Sequence, residues 1–291
     1  MSADNTVQSA KIVPFQSKAW WPEMHLADMT RRPLLTLNVD DHCRRAAELM
    51  KEFHIRHLPV VDQEVPVGMV SERNLLAAIG WWGNRPKHAD APITDWAERL
   101  PVNEVMSTPL VCLPPDAALG KAARLMLNKK ISAVALVSDG RLRGIVTETD
   151  FLHLCTGEED WQRQKVIEHM TAHVFQVPPE ELIRAAWHLM REKQIRHLVV
   201  MKGDSLQGIL SDRDLLAGIT WDAAGPGGIQ EHVRHIMTTP VATIAPDATL
   251  GESAQRMLDR KIGALPVTDQ GYLAGIVTET DLMQVLVREM G

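Results

Sequence analysis

The sequence predicts an α/β fold in which one small unit, ordered strand, helix, strand, strand, helix (β-α-β-β-α), is repeated four times. Three observations carry this expectation. The phrase Gly144-Ile145-Val146-Thr147-Glu148-Thr149-Asp150 returns 131 positions later as Gly275-Ile276-Val277-Thr278-Glu279-Thr280-Asp281, and the same offset maps Met106 onto Met237 and Lys130-Ile131 onto Lys261-Ile262. Ile55-Arg56-His57-Leu58 returns 140 positions later as Ile195-Arg196-His197-Leu198, and Ser71-Glu72-Arg73-Asn74 returns as Ser211-Asp212-Arg213-Asp214. Within each unit the apolar residues change from helical spacing to short continuous runs bounded by turn residues.

The order is therefore A, B, A′, B′, as left by duplication of a two-unit module. The units are placed at 24–80, 104–157, 168–220 and 235–289, with an arm at 1–23 and linkers at 81–103 and 221–234. Gly83-Asn84-Arg85-Pro86 and Gly225-Pro226-Gly227-Gly228 supply the breaker residues of the linkers. Trp81 and Trp221 fall at equivalent positions and are expected to anchor those linkers by packing.

The second unit shows each element in turn. After Pro114-Pro115, Asp116 is a suitable N-cap, and apolar residues at 118, 119, 122, 125 and 126 form one helical stripe. Ala133-Val134-Ala135-Leu136-Val137 is a short apolar strand closed by Ser138-Asp139-Gly140, and Leu142 to Val146 returns as its hairpin partner. Thr147-Glu148-Thr149-Asp150 then opens the closing helix. One unit of this size buries too little surface to stand alone. Two units packed sheet against sheet would share a core and create clefts suited to small ligands.

Composition bounds the function. With 45% hydrophobic and 23% charged residues in 291, the chain has the material for a sizeable core. A net charge of −6 argues against gripping nucleic acid or an anionic membrane as the main task. No secretion signal and no apolar run of membrane-spanning length is present, and Cys43, Cys112 and Cys155 are scattered without pairing, as for buried thiols in a reduced compartment. A cytoplasmic location is expected. Nucleophile elbow, phosphate loop and zinc-protease motifs are absent, which does not itself exclude an enzyme, but the repeats take up almost the entire sequence, so no catalytic role is expected. His169 with His173, and His232 with His235, have helix spacing without accompanying Cys or carboxylate ligands, so no metal site is expected.

The repeated ending Gly-apolar-apolar-Thr/Ser-x-x-Asp places a hydroxyl and a carboxylate three residues apart where a strand becomes a helix. A carboxylate can accept both hydroxyls of a ribose diol, and free amides at a helix start suit a phosphate. The same spacing is a helix-capping pattern. The two readings are compatible in one motif.

Together the Met-Thr/Ser start, the Arg56-His57-Leu58-Pro59-Val60 strand and the Gly-Ile-Val-Thr-x-x-Asp ending resemble the CBS domain over nearly the whole chain after residue 23. The resemblance implies four CBS repeats paired into two Bateman modules, with AMP, ADP, ATP or S-adenosylmethionine as a regulatory ligand in clefts between paired repeats. It implies Thr147 with Asp150, Ser211 with Asp214, and Thr278 with Asp281 as groups that hold ribose or phosphate. Arg56-His57 and Arg196-His197 stand where related nucleotide sensors place basic groups on phosphates. A surface Arg lying over the sheet beside a half-buried His is the alternative. The first repeat departs, with Asn74 in place of the acid beside Ser71, so its site is expected to be weak or empty. Arg73 and Arg213 are weaker phosphate candidates, better read as solvated or ion-paired. Ser132-Ala133 and Gly263-Ala264 leave room for a ligand or for tight packing. The partners implied are a separate regulated protein and a second copy of the chain or closure within one chain.

Overall fold

The computed structural model describes residues 24–30, 34–78, 99–156, 159–218 and 232–290. The arm at 1–23, Trp81, Trp221 and most of both linkers lie outside the described residues.

Repeat 1 contains β1 (Leu37–Asn38), α1 (Cys43–Phe53), β2 (His57–Asp62), β3 (Val65–Ser71) and α2 (Glu72–Ala78). Repeat 2 contains β4 (Cys112–Leu113), α3 (Leu119–Lys129), β5 (Ala133–Ser138), β6 (Arg141–Thr147) and α4 (Glu148–Cys155), followed by the short α5 (Glu159–Arg163). Repeat 3 contains β7 (Gln176–Val177), α6 (Ile183–Lys193), β8 (His197–Lys202), β9 (Ser205–Ser211) and α7 (Asp212–Ala217). Repeat 4 contains α8 (Leu250–Arg260), β10 (Ala264–Asp269), β11 (Tyr272–Thr278) and α9 (Glu279–Glu289), with a single parallel bridge, Ile244 to Val267, in place of its first strand. In repeats 1 to 3 the first strand is parallel to the second, which forms an antiparallel hairpin with the third.

Local chemistry sets these boundaries. The first helix of each repeat ends on a left-handed residue, His54, Lys130, Gln194 or Lys261, and the next residue is always isoleucine. The amides of Ile55, Ile131, Ile195 and Ile262 return to the carbonyls of Met50, Met126, Met190 and Met257, so the orphan carbonyl is satisfied beside an apolar contact. Turns such as Asp139-Gly140 have positive φ at both centres, as a tight hairpin requires.

Pairing within a module rests on exchanged start segments. Ser107 and Met69 exchange two backbone hydrogen bonds, as do Thr171 with Ile276 and Thr238 with Ile209. The close approach needs a residue without Cβ on the receiving strand. A Cβ on Gly275 would lie 2.6 Å from Met170 Sδ and 2.9 Å from the Thr171 carbonyl oxygen, and one on Gly208 would lie 2.6 Å from Met237 Sδ. The recurring glycine and the recurring Met-Thr/Ser are thus two halves of one contact, joining repeat 1 to 2 and repeat 3 to 4.

The large cores run elsewhere. Leu58, Leu75 and Leu76 of repeat 1 pack with Trp187, Leu198 and Leu215 of repeat 3, whereas Leu136, Phe151 and Leu152 of repeat 2 pack with Leu265, Leu282 and Leu286 of repeat 4. Helix α2 therefore lies on α7, and α4 on α9. The shared core expected between sheets of one module is thin, comprising Val199, Ala264 and Ile276 in the second module. The helices cover one sheet face and retain an apolar outer stripe, which the other module buries. Closure of the two modules is within the chain.

Two local expectations are corrected. Asp116 is not the N-cap of α3; Ala118 is, without a side-chain cap. The start segment occupies this turn, with the Leu26 and Ala27 amides donating to the carbonyls of Ala117 and Pro115, so the helix begins later. Cys43 and Cys155 are buried, but Cys112 is exposed on the two-residue strand β4, whose alternate residue Leu113 faces the core. Among the described residues no helix is long and apolar enough to cross a membrane.

Candidate functional site

The four closing helices begin with the same device. In α9 one Asp281 oxygen, Oδ2, accepts from the Thr278 amide at 2.8 Å and from the Thr278 hydroxyl at 2.6 Å. Thr147 with Asp150 (2.8 and 2.7 Å) and Ser211 with Asp214 (2.7 and 2.6 Å) repeat this geometry. The capping reading is therefore realised, and it uses one carboxylate oxygen. The other faces the partner repeat, where Asp214 Oδ1 accepts from the Thr238 hydroxyl at 3.0 Å. Burial raises the Asp281 pKa, a tendency opposed by hydrogen bonds from Thr278 and Thr171.

Asn74 closes the same box with different polarity. Its Oδ1 accepts from the Ser71 amide at 2.9 Å, which fixes the orientation of the side-chain amide, and Nδ2 donates to Ser107 Oγ at 3.2 Å. Where the other repeats present a carboxylate oxygen, repeat 1 presents a donor.

Between the modules lies a ring in which the four candidate arginines, Arg56, Arg73, Arg196 and Arg213, meet four acids from the unassigned position after each motif Thr or Ser. Glu72, Glu148, Asp212 and Glu279 are the first residues of the closing helices and are all buried. Arg56 Nη2 lies 2.7 Å from Glu279 Oε2, and Arg196 Nη2 lies 2.6 Å from Glu148 Oε2. Arg73 pairs with Asp212 at 2.9 Å and Arg213 with Glu72 at 3.5 Å. Thr149 donates to Glu279 and Thr280 to Glu148. Helix N-termini favour negative charge, so an acid at this position is doubly stabilised. Its recurrence in all four copies was the available signal.

The electrostatics follow from burial and these pairs. Burial opposes ionisation of Glu279, but Arg56 and Arg196 outweigh it and hold the carboxyl at about 2. Glu72 and Asp212 are raised, chiefly by burial. Burial, followed by repulsion from Arg56 and Arg196, pushes His57 down to about 3; burial, followed by repulsion from Arg196, does the same to His197. Both imidazoles are neutral at pH 7, so neither supplies the charge that a protonated histidine would bring. His57 Nε2 sits 3.0 Å from Ser132 Oγ. Gly263 provides tight packing, since a Cβ there would lie 3.0 Å from Glu279 Oε2.

A cavity of about 840 Å³ opens over this ring, with walls from all four repeats. It brings together Arg56, His57, Ser71, Arg73, Asn74, Arg196, His197, Thr278 and Asp281. Thr147, Asp150, Ser211, Asp214 and Arg213 are not on its wall. Side chains not anticipated from the motifs, including Lys129, Lys130, Lys193 and Gln284, line it. Among the described residues no group of three or more His, Cys, Asp or Glu is disposed to hold a metal ion.

The family model of the CBS domain matches residues 26–80, 102–157, 166–220 and 233–288. A 33.4 kDa protein in the ribosomal RNA operon of Thermofilum pendens is 31% identical over 258 residues, covering 83% of this chain and 84% of that protein. Protein MJ1225 of Methanocaldococcus jannaschii is 26% identical over 269 residues, covering 87% of this chain and 95% of that protein. The solved structure of MJ1225, proposed as an archaeal homologue of γ-AMPK, matches with a TM-score of 0.79 at 22% identity, covering 90% of this chain and 100% of that one. A Pyrococcus horikoshii protein matches with a TM-score of 0.61 at 21% identity, again over 90% of this chain and 100% of that one.

Proposed function

The chain belongs to the CBS-domain family, and from that premise we propose that it is a non-catalytic regulatory module that binds AMP, ADP or ATP in clefts between paired repeats and signals occupancy to a separate protein. The observation that carries this is the division of labour in the Thr/Ser-x-x-Asp boxes: one carboxylate oxygen caps the helix, while a threonine of the neighbouring repeat, Thr238 at Asp214 and Thr171 at Asp281, also bonds the carboxylate at the repeat boundary, where a ribose hydroxyl could share or replace that bond. Thr278 and Asp281 stand on the wall of the central cavity. Thr147 with Asp150 and Ser211 with Asp214 are the corresponding groups off that wall. Arg56, Arg196, His57 and His197 are the phosphate-side groups, with Arg73 and Arg213 as secondary ones.

Signalling follows from where the arginines are already engaged. Arg56 and Arg196 tie repeats of one module to acids of the other. A phosphate that draws on either guanidinium competes with Glu279 or Glu148, so ligand affinity differs between tight and loosened module arrangements. Such differential affinity is what a population shift requires.

The complete capping boxes also favour a second reading, in which the motif is structural only. Calorimetric titration of AMP, ADP and ATP separates the two. Asp281→Asn is expected to weaken the preferred nucleotide about ten- to a hundredfold, the value of one charge-assisted hydrogen bond of about 1.5–3 kcal/mol. Asp281→Asn with altered stability and unchanged nucleotide affinity would establish the structural reading instead.

A further inference from the structure

Two of the four motif boxes open into one space. Ser71 and Asn74 belong to repeat 1 of the first module, and Thr278 and Asp281 to repeat 4 of the second, yet all four line the same cavity of about 840 Å³. That volume is in the range of about 300–1,000 Å³ typical of a single bound organic ligand. We propose that this cavity takes one pyrophosphate-linked dinucleotide, with its adenosine at Thr278 and Asp281 and its second nucleoside at Ser71 and Asn74. The proposal rests on the adenosine reading above and concerns which molecule of that class the shared cavity selects.

Charge favours one bridging ligand over two separate nucleotides. The wall carries Arg56, Arg73, Lys129, Lys130, Lys193 and Arg196 against the carboxylates of Glu72, Glu148, Asp212 and Asp281, with both histidines neutral. The arginines are largely offset by the acids that pair with them, and Lys193 by Glu192 at 2.6 Å, leaving the surplus on Lys129 and Lys130. A pyrophosphate diester brings about two negative charges to such a surplus, whereas two nucleoside monophosphates bring about three to four and two triphosphates more still. Lys130 of repeat 2 donates its ammonium to Gln194 Oε1 of repeat 3, across the boundary between modules. A pyrophosphate joining the two ends would pass that boundary.

The two ends are also chemically unlike, which favours an unsymmetrical ligand. Asp281 is an acceptor at this end, bonded by Thr278 and Thr171, so a ligand hydroxyl would share or displace the Thr171 bond; it is joined on the wall by Gln284, one turn further along α9. At Asn74 the carbonyl oxygen is committed to the Ser71 amide, and the amide nitrogen is the group turned outward. That end reads an acceptor on its ligand and cannot accept from a diol as a carboxylate does.

The test is calorimetric titration of the full chain with NAD, used as an unsymmetrical dinucleotide, and with AMP. Linking the two ends should make NAD at least about tenfold tighter than AMP. Asp281→Asn and Asn74→Ala should both weaken the same tight NAD event about tenfold, while only Asp281→Asn weakens AMP. Because Asn74 also caps a helix, Asn74→Asp serves as a second variant that keeps the cap. It should lose the preference for NAD and take up one additional AMP. NAD no tighter than AMP, an NAD event indifferent to Asn74→Ala, or an Asn74→Asp protein with unaltered preference would overturn the proposal. Retained binding of AMP, ADP or ATP that depends on Asp281 would then leave the adenosine reading standing, and absence of binding by NAD and by all three nucleotides would overturn both.

Discussion

Replacing Glu279 with alanine is expected to destabilise the folded chain by about 3–5 kcal/mol, the cost of removing one partner from a buried ion pair. The side chains of Arg56 and Glu279 are only 19% and 3% exposed, so water cannot take over the role of the lost carboxylate. Arg56 would keep its bond to the Thr149 hydroxyl, at 3.1 Å, but that neutral group does not offset its charge. The cost is one of an unpaired cation, and replacing both partners should therefore remove most of it. An Arg56→Met, Glu279→Leu double variant is expected within about 1 kcal/mol of the parent, or above it. Urea unfolding of the three proteins measures this. A loss below about 1 kcal/mol in Glu279→Ala alone would mean that the ring is screened like a surface pair.

Acidification should have the next largest effect. His57 and His197 titrate near 3 in the folded chain and near 6.5 when unfolded. Between these values the unfolded chain holds up to two more protons than the folded one, so stability falls as pH falls. The slope approaches about 2.7 kcal/mol per pH unit near pH 5, is about half that at pH 6.5 and fades, for these groups, above about pH 7.5. Glu279 has the same sign, but acts only between about 4.5 and 2. Glu72, Asp212 and Asp281, raised by burial, have the opposite sign and offset part of this loss. Loss of stability from the two histidines should set in between pH 6.5 and 5. Unfolding free energies at pH 7.5, 6.5, 5.5 and 4.5 test this, and His57→Gln with His197→Gln should flatten the curve. Equal stability at pH 7.5 and 5 in the parent protein would contradict it.

Much of the architecture was legible because it is written four times. Repetition exposed Gly208 and Gly275, the Met-Thr/Ser starts and the Thr/Ser-x-x-Asp/Asn boxes, each a local signal whose spacing survives duplication. It did not tell which surfaces meet. That α2 packs on α7, and α4 on α9, depends on which apolar stripes face one another after folding, and both pairs of stripes are equally apolar in sequence. The acids Glu72, Glu148, Asp212 and Glu279 were visible as a recurring first-turn charge, but their partners are contributed by repeats far away in the chain. Asp116 illustrates the opposite failure. Its local capping chemistry was sound, yet a segment about ninety residues earlier, Leu26–Met29, binds that turn and moves the helix start.

Thermal unfolding of ligand-free protein against AMP, ADP, ATP, NAD and S-adenosylmethionine decides whether the repeats bind adenosine compounds. A ligand present at 100 times its dissociation constant should add about 2.7 kcal/mol, seen as a higher Tm that rises further with concentration. Such a rise is expected for adenosine compounds, with adenine-free phosphates silent. No shift with any of these compounds at millimolar concentration would contradict it and leave the four motif boxes as helix caps alone.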